Sequence, residues 1–558
     1  MLRKWGPFCF ALFVGIILAV VSILPPSPKG LDSPEDQFSA ERAMVDIRVI
    51  ASEPHPTGSP ANAEVRTYLT ERLGQLGFEV STSGDELTGW PFKRLKQWRG
   101  TDVTSETFVN VIGVKKGKDQ TKPALLLMAH HDTVWDSPGA ADDTIGIASI
   151  FEIMRALNTS GLAERDIIVL FTDAEEVGLV GAKHFFKTHP FRDQIGAIIN
   201  FEARGGGGTA NMFQTSAQNG NAAKLYAKAV RHPSASSLST YIYNVLPNDT
   251  DLTPALEGDY VAFNIANIGR AEYYHSPAID ADALQVSTVQ HMGMQGLDLT
   301  KALLSADTFP EPKKDATFFD VFGLFTVVFA PALGWGLVVF TALCLAGTYD
   351  SRQPRKDILL GASRMIGFLG LGGVLLFGLN WVSGAGKGAD YYDRLAAITE
   401  LEIMAIFAGL AVFFGMFGRK ALTFNGLLGA ALPLFALGIA GQALAPTAGY
   451  FVVISIMITS VCFVTHRRLN THWAPAGLAA LVVGYMLGLY HLLMVGVGPD
   501  LPSVAILPLA LLTLAALPFY AGLTKRQRLA LLFVSMALAL AVALRIRFDP
   551  IAATVPTY

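Results

Sequence analysis

Six short clusters of acids and imidazoles mark the first half of the chain. They are His130-His131-Asp132, Gly139-Ala-Ala-Asp142-Asp143-Thr-Ile-Gly146, Thr172-Asp173-Ala174-Glu175-Glu176-Val177-Gly178, Glu202, Pro247-Asn-Asp249-Thr-Asp251 and Tyr273-Tyr274-His275-Ser276-Pro277. Like-charged carboxylates gathered in one cleft repel unless cations neutralise them. Imidazole and carboxylate ligands with no cysteine among them suit zinc or a similar divalent metal. Two such ions about 3.5–4 Å apart can share a bridging carboxylate and hold a hydroxide between them. The adjacent pair Glu175-Glu176 permits a division of labour. Successive residues leaving a strand point in different directions, so one can bind metal while the other takes a proton from water.

Regular elements must bring these clusters together. Val109–Val114, Ala124–Ala129, Ile167–Phe171, Ile195–Phe201 and Val261–Ile265 are short apolar, β-branched runs of the kind buried on both faces of a sheet. Helical apolar spacing occupies Ser39–Ala51 and Ala61–Gly77, and helical stretches follow at Gly146–Leu157, Gly178–Thr188 and Asn221–His232. Alternation of strand and helix predicts an α/β domain, with a parallel or mixed sheet covered on both faces. Ligand sites in such sheets lie beyond the carboxyl ends of strands. His130, the Thr172–Gly178 cluster and Glu202 each begin where an apolar run stops.

Five of these markers, taken in order, resemble the co-catalytic di-zinc exopeptidase family that includes aminopeptidase Y, glutamate carboxypeptidase and the transferrin-receptor ectodomain. They are His130-x-Asp132, Gly-Ala-x-Asp-Asp, Glu175-Glu176-x-Gly, Asn200-Phe-Glu202 and Tyr274-His275-Ser-Pro, and the resemblance covers about residues 38–305. A single amino-terminal span and about eight trailing spans make the plan similar to the multi-pass branch of endoplasmic-reticulum metallopeptidases and vacuolar membrane proteases. The resemblance implies a zinc-exopeptidase-like mixed sheet and two zinc ions. One would be held by His130, Asp142 and Glu202, the other by Asp142, Glu176 and His275, with Asp142 bridging. It implies Glu175 as general base, Asp132 as the group orienting His130, and Tyr274 as an oxyanion stabiliser. The reaction implied is peptide hydrolysis by metal-bound hydroxide, aminopeptidase-like, from an end of the substrate.

Several neighbours compete for these roles. His131 is the alternative to His130, and Asp143 the alternative to Asp142 or the cap of the following helix. Asp249 and Asp251 read as turn or cap residues. The run Gly205–Gly208 lacks the strand–GxGxxG–helix setting of a nucleotide loop and reads as a place of close backbone passage. Two features depart from the family pattern. Many members carry Asp where this chain has Glu202. Arg270 stands where a small or aromatic residue is expected; it can bind a substrate carboxylate or pair with Glu272 at the surface.

The remainder of the chain is of a different kind. The 558 residues hold 16% charged and 51% apolar side chains, with a formal net charge of −3. That total conceals −9 up to Phe319 and +6 from Asp320 onward. The mean hydropathy is +0.39. These values exclude a wholly soluble enzyme, a disordered chain and a nucleic-acid binder. Residues 6–24 form an apolar run after Arg3 and Lys4, read as an uncleaved anchor rather than a signal peptide. Further apolar runs recur near 320–346, 358–382, 400–417, 421–443, 448–465, 474–496, 502–522 and 527–546, for about nine spans. The expected domains are an anchor at 1–29, a peptidase domain at 30–315 and an all-α polytopic domain at 316–558. With the amino terminus inside, twelve basic residues fall on inside loops (Arg3, Lys4, Arg352, Arg355, Lys356, Arg419, Lys420, Arg467, Arg468, Lys525, Arg526, Arg528). Four (Lys387, Arg394, Arg545, Arg547) fall outside. The positive-inside rule then places residues 30–315 outside the cytoplasm. A bacterial inner membrane is the expected location, with an endoplasmic-reticulum or vacuolar membrane as the alternative.

Cys9, Cys344 and Cys462 all lie in apolar runs, so no disulfide framework is expected. Intramembrane polar residues are few, notably Arg364, Asn380 and His491, and His491 has no evident acidic partner in the sequence. The Gly367–Gly373 stretch reads as close helix packing. The expected partners are a peptide substrate and the lipid bilayer. Rival readings are a non-catalytic binding or scaffold protein, a transporter, and a single-zinc glutaminyl cyclase.

Overall fold

A computed structural model of the chain describes residues 2–99, 103–159, 161–385, 391–417, 422–469 and 472–548. Of the basic residues counted above, Lys387, Arg419 and Lys420 lie outside the described residues, as do the side chains of Arg3 and Lys4. The chain divides into two compact units. Leu24–Val328 forms one, and α1 (Leu2–Ile23) with the chain from Phe329 onward forms the other.

The first unit is built on a seven-stranded sheet in the order β1-β2-β4-β3-β5-β7-β6. Its strands are β1 (Glu79–Glu86), β2 (Thr107–Lys115), β3 (Ala124–His130), β4 (Ile167–Thr172), β5 (Ile195–Ala203), β6 (Gly207–Thr215) and β7 (Val261–Gly269). The central strands β4, β3, β5 and β7 run parallel, whereas β1, β2 and β6 are antiparallel to their neighbours. Parallel pairing matters for chemistry, because it puts the carboxyl ends of the four central strands on one edge. Every residue of β3 and β4 is buried, as strands covered on both faces require.

The helices of this unit are α2 (Ala40–Ile50), α3 (Pro60–Gln75), α4 (Gly89–Arg99), α5 (Thr144–Asn158), α6 (Val180–Thr188), α7 (Gly220–Ala229), α8 (Ser237–Val245), α9 (Leu252–Ala255) and α10 (Val286–Ser305). Serine side chains start several of them. Ser39, Ser59 and Ser236 accept hydrogen bonds from the backbone N–H groups of Arg42, Asn62 and Ser239, satisfying donors that a helix start leaves open. One face of the sheet packs against α2, α5, α7 and α10, the other against α6 and α9. From Thr144 to Leu157, α5 is buried everywhere except Arg155. Phe151 on α5 meets Phe171 on β4 edge to face, centroids 5.4 Å apart. The glycine run opens β6. A Cβ on Gly205 would lie 2.4 Å from the Gly269 carbonyl oxygen, and Gly208 has φ +77° over the Gly269 backbone. The close passage is therefore against the end of β7.

A two-stranded hairpin, β8 (Thr317–Val321) and β9 (Phe325–Phe329), follows. This corrects the expected span at 320–346. Aromatic and β-branched residues there alternate around a turn at Phe322-Gly323, both at positive φ. The Asp320 carboxylate accepts the N–H groups of Ala235 and Gly323, which pins the hairpin to the segment leading into α8.

The second unit consists of α1, α11 (Leu333–Thr348), α12 (Lys356–Val382), α13 (Tyr391–Ala396), α14 (Ile398–Met416), α15 (Phe424–Leu444), α16 (Tyr450–Arg468), α17 (Trp473–Val497), α18 (Ile506–Ala516) and α19 (Lys525–Phe548). Among the described residues eight helical stretches are long and apolar enough to cross a membrane. They belong to α1, α12, α14, α15, α16, α17, the Pro502–Phe519 stretch around α18, and α19. The apolar α11 is shorter, at 16 residues. The chain is a multi-pass membrane protein.

Small residues set its closest helix contacts, in part where Gly367–Gly373 suggested: a Cβ on Gly372 would lie 2.2 Å from Ile506 Cδ1 and one on Gly367 2.9 Å from Met416 Sδ. Gly370 and Gly373 face open space, whereas a Cβ on Gly361 would lie 2.0 Å from the Gly426 carbonyl oxygen, and one on Gly429 2.0 Å from that of Ile358. His491 does have an acidic partner. Its Nδ1 lies 2.7 Å from Glu402 Oε1 on α14, a pairing across 89 residues that no local pattern announces.

Candidate metal centre

The carboxyl ends of the central strands and the loops that follow them gather the sequence clusters on one edge of the sheet. His130 ends β3 and Thr172 ends β4, paired in register. Glu202 lies near the end of β5. Asp142 and Asp143 immediately precede α5, so its amino-terminal N–H groups favour negative charge there. His275 sits six residues after Gly269, the last of β7. Ala174 and His275 both hold the left-handed conformation, φ +59° and +56°. For side chains other than glycine that conformation costs about 1–3 kcal/mol and persists only where surrounding contacts impose it.

The Asp142 carboxylate stands between two imidazoles. Its Oδ1 lies 3.0 Å from His130 Nε2 and its Oδ2 lies 3.2 Å from His275 Nε2. Glu202 Oε2 is 3.9 Å from His130 Nε2, and Glu176 Oε1 is 3.2 Å from His275 Nε2. Candidate ligand atoms within 4.8 Å of one another form three groups: His130–Asp142–Glu202, Asp142–Glu176–His275 and His130–Glu175–Glu176. The first two share Asp142. His131 is not among them. Its Nδ1 faces the Asn62 amide and its Nε2 the Val109 carbonyl oxygen.

Burial makes this arrangement costly without cations. It pushes Glu175 well above the usual carboxylate range, helped by the charges of Glu176, Glu202 and Asp251 and opposed by His130. Glu202 is pushed up to about 8, also by burial first. Asp142 goes the other way, to about 2, because His130 and His275 together outweigh its burial. Glu176 Oε1 is buried and closes no hydrogen bond. A buried oxygen without a donor, in a mixed imidazole and carboxylate set with no thiolate, fits zinc or a similar divalent ion. The residues present therefore suit the metal.

The surrounding shell departs from expectation in two places. The hydrogen bond to His130 Nδ1, at 2.9 Å, is made by the backbone carbonyl oxygen of Asp132, while its carboxylate lies 3.7 Å away. That carboxylate instead accepts the backbone N–H groups of Glu175 and Glu176, at 3.0 and 3.2 Å. Asp132 thus holds the glutamate pair in place. Asp143 occupies the cap position of α5 but makes no side-chain cap bond. Its Oδ2 accepts the His130 N–H at 3.3 Å.

Asp251 is also misjudged by the sequence. It starts α9 without capping it, is fully buried, and accepts a hydrogen bond from the Thr172 hydroxyl at the end of β4. Thr57 and Asp173 were not singled out. The Thr57 hydroxyl bonds both Asp132 and Asp173, and Asp173 takes the Val109 N–H. Asp173 carried one signal, its place beside Thr172 at a strand end.

The predicted substrate group Arg270 has its contacts occupied. Nη1 donates to the Ala283 carbonyl oxygen at 2.7 Å, the guanidinium lies 4.4 Å from the Tyr273 ring centre, and Glu272 is 3.9 Å away. The Tyr274 ring stacks on His275, centroids 3.8 Å apart.

Residues 110–300 match the model of Peptidase family M28. Endoplasmic reticulum metallopeptidase 1 of Homo sapiens is 28% identical over 394 residues, which cover 66% of this chain and 43% of that protein. Vacuolar membrane protease of Schizosaccharomyces pombe is 29% identical over 321 residues, 54% of this chain and 36% of that protein. The chain thus matches about two fifths of the length of these relatives. The solved aminopeptidase from Aneurinibacillus sp. strain AM-1 aligns with 50% of this chain and 99% of its own, at 14% identity and TM-score 0.38.

Proposed function

We propose that this chain, whose residues 110–300 match Peptidase family M28, is a membrane-anchored di-zinc exopeptidase with its catalytic unit outside the cytoplasm. The observation that carries the reading is the Asp142 carboxylate set between His130 and His275, shared by two ligand groups. His130, Asp142 and Glu202 would hold one zinc, and Asp142, Glu176 and His275 the other. Zinc bound there supplies Lewis acidity, polarising a carbonyl and acidifying water.

The protein's own groups do the rest. Glu175 takes the proton of the attacking water on a carboxylate oxygen as the new C–O bond forms. It then delivers that proton to the leaving nitrogen as the C–N bond breaks, so the proton count closes. Asp132 keeps Glu175 and Glu176 from swinging by holding their backbone N–H groups. Tyr274, adjacent to His275, stabilises charge on the carbonyl oxygen. The carboxylates crowded at this edge favour a substrate that brings positive charge, as the free amino end of a peptide does. Arg270 would meet a substrate carboxylate only by giving up its present contacts.

The orientation rests on the basic residues. With α11 counted as a span, twelve basic residues on one side against four on the other support a catalytic unit in a periplasm, an exterior or an organelle lumen. The relatives' names point to endoplasmic-reticulum and vacuolar membranes, and the compact Ala/Gly/Leu-rich spans to a bacterial inner membrane.

The deciding experiment uses the full-length protein in detergent with zinc, assayed on aminoacyl and short-peptide substrates. The expected result is two zinc ions per chain and cleavage from the amino end. One zinc per chain with cyclisation of glutaminyl peptides would establish a cyclase instead. Two zinc ions with no turnover on any peptide would leave a binding protein.

A further inference from the structure

Four basic residues and no acid stand among the eleven of α4: Lys93, Arg94, Lys96 and Arg99, interleaved with Trp90, Phe92 and Trp98. The helix falls between β1 and β2 in the chain and has no part in the site described so far, yet it borders that site. Leu95 and Trp98 are buried with Val134, Ala174 and Val177 in one apolar cluster, and Trp135 packs against it. Val134 follows Asp132 by two residues, and Ala174 and Val177 flank Glu175-Glu176. So α4 lies on the loops that leave β3 and β4, at the edge of the sheet that holds the candidate ligands. The Trp90 ring reaches the glutamate turn itself. A Cβ on Gly178 would lie 3.1 Å from Trp90 Cζ3, and the Gly178 N–H closes the turn on the Glu175 carbonyl oxygen at 2.8 Å. Trp90 nevertheless keeps 58% of its surface exposed.

The charges of α4 are met unequally. Arg99 pairs with Glu106, and the Lys96 ammonium lies 5.6 Å from the Phe92 ring centre. Arg94 has aromatic neighbours but no acceptor. Its guanidinium lies 5.3 Å from the Trp90 ring centre and 5.4 Å from that of Trp98. Among the described residues its buried Nε closes no hydrogen bond, and no carboxylate pairs with the guanidinium. A buried donor left without an acceptor is costly, and an ion or ligand that brings the acceptor removes that cost. Packing on aromatic faces orients the guanidinium fork in advance, and that fork matches a carboxylate in two parallel hydrogen bonds.

We propose that Arg94 binds the terminal carboxylate of the peptide substrate, beyond the cleaved bond, so that the enzyme selects short peptides with a free carboxyl end. This rests on the peptidase reading given above. The crowded carboxylates favour the free amino end, and α4 offers the opposite charge to the other end. A single indole, that of Trp90, separates the Arg94 guanidinium from the turn of Glu175 and Glu176. Two extended residues span roughly 7 Å and three roughly 10 Å, enough to cross it. A peptide of the same length ending in an amide brings no negative charge to this place. The carboxylate-binding role considered for Arg270, whose contacts are occupied, falls to Arg94.

The test compares trialanine with trialanine amide, using the full-length, zinc-loaded protein in zwitterionic vesicles with and without an anionic lipid. In wild type, KM for the acid should lie about tenfold or more below that for the amide, as loss of a hydrogen bond between charged groups implies, with kcat alike. In Arg94→Gln that preference should vanish through a rise in the acid's KM alone. Zinc per chain and the kinetics on the amide, which control for folding, should stay within about twofold, as for a contact the amide never makes. Equal KM values for acid and amide in wild type would overturn the proposal, as would a preference that survives in the variant. Turnover that needs the anionic lipid, and loses that dependence in Arg94→Gln, would overturn it too and make α4 a bilayer contact. Should wild type cleave neither peptide, calorimetry with the same pair decides. Acid bound more tightly than amide in wild type, and no more tightly in the variant, upholds the carboxylate site while the peptidase reading fails. Binding of neither peptide sinks both.

Discussion

Both units bury ionisable side chains, but they balance them differently. Among the described residues of the membrane unit, several charged groups find counterparts within the fold, in one case across to the exposed Arg545. Glu402 meets His491, Arg545 lies 3.6 Å from Glu400, and Arg394 is held by Asn380, Ser383 and the Pro499 carbonyl oxygen. In the sheet unit, Asp142, Glu175, Glu176, Glu202 and Asp251 crowd around two imidazoles, and Glu176 and Asp251 each keep an oxygen without a donor. A buried charge cluster that closes on itself is architecture. One left with surplus negative charge is completed by a ligand. That imbalance, more than burial itself, separates a site from a scaffold.

The largest expected effect breaks the comparison most cleanly. Glu175→Gln should lower kcat by about 10²–10⁴-fold while both zinc ions stay bound; parallel zinc analysis and turnover measurements decide it. Loss of zinc in this variant would recast Glu175 as a ligand, an option its place beside His130 and Glu176 makes concrete.

Metal removal comes next. Chelation should abolish turnover and lower the stability of the sheet unit by about 4 kcal/mol relative to protein with zinc at a thousand times its dissociation constant. The helical signal of the membrane unit should persist. Differential scanning of holo and chelated protein in one detergent reads both, and melting of the two units together would show that they do not behave as the comparison requires.

Third is Glu402→Gln. An intramembrane polar contact of this kind is worth about 0.6–2 kcal/mol. The variant should lose that much stability and keep peptidase turnover within about twofold. A loss of turnover matching Glu175→Gln would give the membrane unit a catalytic part. Smallest is Arg270→Ala, whose guanidinium is half-exposed and already engaged. Substrates with and without a free carboxylate near the cleaved bond should be affected alike, by less than about threefold, as for exposed pairs. A selective loss on carboxylate-bearing substrates would instead assign it to binding.

Much of the molecule is legible in local pattern, and the reason is physical. A strand buried on both faces needs an unbroken apolar run, and a membrane span needs a longer one. Ala124–Ala129 and the stretch within α12 therefore announce themselves. Acids and histidines directly after such runs mark the sheet edge where ligands bind. The spacing of His130, Asp142, Glu175-Glu176, Glu202 and His275 was accordingly enough to point to a divalent metal.

Three-dimensional packing decided the questions that spacing leaves open. Adjacent residues differ little in sequence but point to different neighbours. His131 turns to Asn62 and Val109 while His130 faces Asp142. Asp132 serves the glutamate pair through its carboxylate and His130 through its carbonyl oxygen. Glu402 finds His491, and Asp251 finds Thr172, across long stretches of chain. Residues 317–329 became a hairpin because Asp320 could bind the turn, although their composition alone reads as a span. Chain connectivity carries the order of the elements and their apolar periods. Which side chains meet depends on how those elements stack, a property of contacts distant in sequence that no local spacing encodes.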